Sequence, residues 1–190
     1  MSALTFDLVR RMPLRPSEQR TTFVVLTGTA GPSGEVTITV GTVPRRAVLV
    51  AAGLPEGSIT HPDATKQGLI AVDERTELTV GGVTAILRQN RRSIGKKRRG
   101  ISIRLGARDY TYLSVAPCEE ELRDSERGAL VRQNSPLGSS KAGLAVQAVA
   151  DATDLALALL LQGADRTCLT ITQAAVSGVL SLLQSGKGDV

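Results

Sequence analysis

Asp151–Gly163 reads DATDLALALLLQG, and its centre, Leu155 to Leu161, holds only Leu and Ala. A helix of this composition has no polar face and must be surrounded on every side, by lipid or by protein. Spanning a bilayer takes about 20 apolar residues, and this run is far shorter, so protein has to surround it. Its ends are well marked. Asp151 or Thr153 can cap the N-terminus, Asp154 sits in the first turn where the helix dipole favours a negative charge, and Gly163 suits the C′ position. The stretch therefore predicts a buried helix over residues 152–162.

The surroundings of that helix are written in the preceding residues as short strands. Thr22–Thr27 is β-branched and apolar, and Glu35–Val40 (EVTITV) alternates polar and apolar with the period of a half-buried strand. Ala47–Ala51 is a further apolar run, and Leu54–Gln67 (LPEGSITHPDATKQ) is rich in turn residues and reads as a long loop. Strands are predicted at Gly68–Val72, Glu77–Val80, Val83–Leu87, Ile101–Leu105, Tyr110–Val115, Glu120–Arg123, Ala129–Gln133 and Leu144–Val149. About ten closely spaced strands without intervening helices point to an antiparallel barrel or sandwich. The expected fold is mainly β, a closed or nearly closed antiparallel β-barrel around the hydrophobic helix. Residues 1–20 are expected to be a loosely ordered leader, and 21–172 the barrel domain. Residues 173–190 are expected to hold a C-terminal amphipathic helix and a frayed tail, because Val176, Val179, Leu180 and Leu183 recur at helical spacing.

The chain has 190 residues and a net charge of +5, but the charge is not evenly spread. Residues 88–104 (RQNRRSIGKKRRGISIR) carry Arg88, Arg91, Arg92, Lys96, Lys97, Arg98, Arg99 and Arg104 and no acid. Removing those eight from +5 leaves −3 for the rest, so the positive charge is a local patch. Gly95 and Gly100 bracket Lys96–Arg99, as in a loop between two strands. Arginines in such a loop suit bidentate contact with phosphate. The competing reading is a solvated loop of like charges. Near an anionic membrane each base contributes on the order of 1 kcal/mol. A KKRR run also matches nuclear-import signals.

Other chemistry is hard to assemble. His61 is the single histidine and lies in a turn-like HPD, with no GxSxG nucleophile motif in the chain. Cys118 and Cys168 lack CxxC spacing and read as reduced packing residues, with Glu119–Glu121 opposing a thiolate at Cys118. The same acids read as a solvated strand edge that discourages sheet-to-sheet pairing. Gly28, Gly31 and Gly34 lack a P-loop lysine and open onto a strand, so they read as a hairpin turn. Aromatics make up 2% of the chain, too few for a base-stacking surface. No catalytic residue, metal ligand or cofactor is predicted, and the protein is expected not to be an enzyme. The N-terminus lacks the features of a secretory signal and no transmembrane span is present, so the expected location is cytoplasmic or peripheral to a membrane.

The strand pairs around ISIRLGARDYTYLSV and EEELRDSERGALVRQ, followed by VQAVADATDLALALLLQG, resemble the tubby C-terminal-like superfamily, which includes LURP-one-related proteins and phospholipid scramblases. The resemblance covers about residues 100–163 and implies a non-enzymatic barrel of about twelve strands around a hydrophobic helix. Some members bind phosphoinositides or other membrane lipids through basic residues. By charge and loop position, Arg91, Arg92 and Lys96–Arg99 are the residues here that could do so. The chain departs from the pattern by continuing past the helix into LTIT and the second amphipathic helix. The leading expectation is thus a binding or scaffold protein whose basic loop contacts anionic lipid headgroups or another phosphate-bearing ligand. The alternatives are a nucleic-acid-binding protein using the same loop, or an interaction subunit docking through residues 173–184.

Overall fold

The computed structural model describes residues 4–42, 44–63, 70–89, 100–136 and 139–164. Twelve strands form one closed antiparallel barrel: β1 (Leu4–Arg11), β2 (Thr22–Thr29), β3 (Glu35–Gly41), β4 (Arg45–Ala51), β5 (Gly57–His61), β6 (Glu77–Val80), β7 (Val83–Gln89), β8 (Gly100–Leu105), β9 (Arg108–Ala116), β10 (Glu119–Asp124), β11 (Gly128–Asn134) and β12 (Lys141–Val146). Each strand pairs with its neighbours in the chain. β1 closes the ring against β12, with Leu4 opposite Val146 and Leu8 opposite Ala142. Closure removes the free edges that an open sheet would present.

Period-two alternation supplies the core. Val36, Ile38 and Val40 on β3 are buried, as are Ile101, Ile103 and Leu105 on β8, and the residues between them face out. The helix predicted from the leucine run is α2 (Ala152–Leu161), and every residue from Asp154 to Leu161 is buried. Asp151 is its N-cap. Its carboxylate accepts from the backbone N–H of Thr153 and Asp154, and Asp154 returns the favour to the Asp151 N–H, a capping box. α2 touches β4, β5, β6 and β11. Its Leu160 lies so close to Gly57 that a Cβ there would sit 2.6 Å from Leu160 Cδ1. Gln133 of β11 donates to the Ala158 carbonyl from the other flank.

Several expectations need correction. Residues 4–11 are not a leader: they form β1, with Leu8 fully buried, and Pro16–Gln19 form a short helix, α1. The expected loop at 54–67 contains β5, because Ile59 and His61 turn inward from a turn-rich segment. Ile70–Val72 is not a strand, and Ile70 makes a single parallel bridge to Ala164. The last strand begins and ends earlier than the expected Leu144–Val149. Glu119–Glu121 is no solvated edge. β10 lies between β9 and β11, and Glu120 and Glu121 are both buried. The second amphipathic helix and Cys168 fall outside the described residues.

Candidate functional site

Antiparallel order sorts the connections onto two rims. Those leaving odd-numbered strands, including β7 to β8, share one rim, called upper here. Those leaving even-numbered strands, and the passage from β12 into α2, share the lower rim. The lower connections are tight. β6 turns into β7 through Gly81 and Gly82 alone, both at positive φ (57° and 77°), the conformation a two-residue hairpin requires and glycine adopts freely.

Charge at the lower rim is neutralised around one buried acid. Asp154 is fully buried and accepts from Arg127 Nη1 at 2.7 Å, Arg127 Nη2 at 2.9 Å, Tyr110 Oη at 2.8 Å and Arg108 Nη1 at 3.2 Å. Arg127 also bonds Asp124 at 3.0 Å, and Arg108 pairs with Asp151 at 2.6 Å. The Arg127 side chain, with backbone N–H groups of Glu126 and Arg127, holds the Asp124 carboxyl down to about 2. Burial pushes the Tyr110 hydroxyl up to about 12. Burial opposes ionisation of Asp151, yet the Asp154 N–H and Arg108 outweigh it and keep its pKa below the usual carboxylate range. Sequence reading passed over this network because its members are spread between residues 108 and 154. It pins the start of α2 to β9 and the β10–β11 turn. Each of its polar groups is committed to another, so it offers no open chemistry.

His61 is also committed. It is 1% exposed, its Nδ1 accepts from the Asp63 backbone N–H at 2.9 Å, and Nε2 lies 3.1 Å from Asp73 Oδ1. Nδ1 also lies 2.9 Å from the Asp63 carbonyl oxygen, so both ring nitrogens are occupied by Asp63 and Asp73. Asp73 further accepts from the Arg75 N–H, and Arg75 Nη2 reaches Asp63 at 2.6 Å. The group ties the end of β5 to Asp73 and Arg75, and no hydroxyl or thiol of the described residues is bonded to the ring. Among the described residues, no group of three or more His, Cys, Asp or Glu side chains is arranged to hold a metal. None of their helices is long and apolar enough to cross a membrane.

Of the eight predicted basic residues, Arg91, Arg92, Lys96, Lys97, Arg98 and Arg99 lie outside the described residues. Arg88 is exposed on β7, opposite Ser102. Arg104 is not free for a ligand: its Nε pairs with Asp109 at 2.8 Å on the outer face of β8 and β9. The two predicted flanks of the patch thus differ, one open and one neutralised. The strand ends Gln89 and Gly100, which bound the run, lie at the upper rim.

The upper rim carries cations that the patch reading missed. Arg11, Arg15 and Arg20, in and after β1, are exposed and form no ion pair among the described residues, and neither does Arg45 at the start of β4. At the lower rim Arg108 and Arg127 are both paired, while Glu35, Glu56 and Glu126 are exposed without an ion-pair partner among the described residues. On the outer wall below the upper rim, a groove of about 510 Å³ runs over Gly143 and Ala145 between Asp7, Glu119 and Arg132. Its mixed charges favour neither sign of ligand. No family model, curated protein or solved structure matches the chain.

Proposed function

We propose that this protein is a non-enzymatic binding or scaffold barrel, built around α2, whose basic segment between β7 and β8 contacts anionic lipid headgroups or another phosphate-bearing ligand. The observation that carries the reading is the contrast between the rims. Arg108 and Arg127 of the lower rim are neutralised by Asp151, Asp124 and the buried Asp154, whereas Arg11, Arg15, Arg20 and Arg45 at the upper rim have no acidic partner among the described residues. The segment holding Arg91, Arg92, Lys96, Lys97, Arg98 and Arg99 starts and ends at that same upper rim. Clustered bases without interleaved acids repel one another, and an anionic partner relieves that repulsion. The tubby-like resemblance points the same way. So does an apolar α2 reached by strands from well-separated parts of the ring, β4–β6 and β11. A peripheral location at a membrane fits this reading.

The test is binding to anionic liposomes, duplex DNA and RNA over a salt series, with the wild type and with Lys96–Arg99 all replaced by Ser. The expected result is liposome binding that weakens with salt and falls by about tenfold or more in the variant, as loss of several surface bases should give. Preferential binding of DNA or RNA, lost in the variant, would move the reading to nucleic acid. Unchanged curves on every surface would remove the segment from the site.

A further inference from the structure

Among the described residues, Arg45 is the upper-rim arginine whose guanidinium is packed against an aromatic ring. It opens β4 on the same face as the buried Ala47 and Leu49. Its guanidinium carbon lies 5.0 Å from the centroid of the Phe23 ring, and Nη1 makes a long bond, 3.5 Å, to the Gly41 carbonyl. Nε is buried and has no hydrogen-bond partner. The residue directly across the ladder, His61, brings two acids close, but both are already taken. Asp73 serves His61 and the Arg75 N–H, and Asp63 serves Arg75. The backbone of a second arginine is tied to the same turn. Thr42, next to Gly41, hydrogen-bonds the carbonyl of Arg20, whose exposed side chain has no ion-pair partner among the described residues.

We infer that Arg45 anchors an oxyanion-binding site at the upper rim, taking a phosphate-type group on a guanidinium that the Phe23 ring backs, with Arg20 as the supporting charge. A buried N–H without an acceptor is rare in folded proteins, and an ion that the site is built to receive is one recognised reason for it. Arginine fits because its planar fork presents paired donors to two oxygens while its face stacks on an aromatic ring. Neutralising the nearby carboxylates in their own pairs keeps them from competing for the fork or repelling the incoming anion. The inference takes its ligand class from the reading above but rests on different residues.

Titration of inorganic phosphate, and co-sedimentation with phosphatidylcholine vesicles with and without phosphatidic acid, test it on the full chain. The proteins are the wild type, Arg45→Gln, Arg45→Lys and the Lys96–Arg99 to Ser variant. Arg45→Gln is expected to weaken phosphate or phosphatidic-acid binding about tenfold, the loss of one charge-assisted fork. Arg45→Lys, which keeps the charge and loses the fork, should fall between it and the wild type. A loss seen with free phosphate assigns a soluble ligand, and a loss confined to vesicles assigns a headgroup. If Arg45→Gln binds like the wild type while the Ser variant fails, the Arg45 site is overturned and the basic segment stands. If the Ser variant binds normally and Arg45→Gln fails, the site stands and the segment reading falls. Should Arg45→Gln not fold, undiminished binding by Arg45→Lys overturns the site on its own.

Discussion

Asp154 occupies the first turn of a helix made otherwise of Leu and Ala, and it has no access to water. A carboxylate there is tolerable only because two guanidinium groups, a phenol and a backbone N–H all point at it. Asp124, on the far side of Arg127, is the member of this network whose titration is most telling. Its folded pKa of about 2 lies below the ordinary 3.8, so its ionised form stabilises the fold. That contribution is complete above about pH 4 and is lost as pH falls through 4 towards 2. Thermal unfolding followed from pH 5 to pH 2 should show the wild type losing more stability over this window than Asp124→Asn. Parallel curves would mean that Asp124 and Arg127 are not coupled in solution.

For an element such as α2, packing against the wall matters more than intrinsic helix propensity. Leu160 fits because position 57 is Gly. A side chain there would meet Leu160 and, at 3.0 Å, the Thr79 carbonyl of the neighbouring strand. Gly57→Val should therefore cost about 2 kcal/mol in urea unfolding, the usual penalty of overpacking. Adding Leu160→Ala should recover part of that loss, a coupling that strict additivity of the two changes would refute. This helix was legible in the sequence because seven consecutive Leu and Ala residues admit one environment. β3, β6 and β8 were legible because their apolar residues alternate. β5 was hidden because GSITH begins with Gly and Ser and sits among turn residues, so burial of Ile59 and His61 is decided by the neighbouring strands. Glu121 misled for a similar reason. Its carboxylate is covered by Arg132 at 2.7 Å and Arg123 at 2.5 Å, and Arg132 lies on another strand. Arg45 looked ordinary because an arginine's freedom depends on which acids its neighbours have taken.

Across the whole molecule, the two rims divide the electrostatic labour. Arg108 and Arg127 of the lower rim are held in internal pairs, whereas at the upper rim Arg75 is paired but Arg11, Arg15, Arg20 and Arg45 have no acidic partner among the described residues. The same ring depends on β1, a strand that polar flanking residues disguise. Deleting residues 4–11 leaves β2 and β12 with open edges facing each other, and each is a template for pairing with another chain. The deletion variant should aggregate or form oligomers by light scattering, whereas a monomer with a single cooperative unfolding transition would show that closure is dispensable. The β1–β12 pairing also carries a consequence for how the chain is made. During synthesis β1 can pair with β2 at once, yet the strand that covers its other edge, β12, follows only after more than a hundred further residues, and the leucines of α2 come later still. The nascent chain must therefore hold one edge of β1 open until β12 has been made. Loop closure over so long a separation is slow, which makes this barrel a natural client for factors that shield an open strand edge until its partner is made.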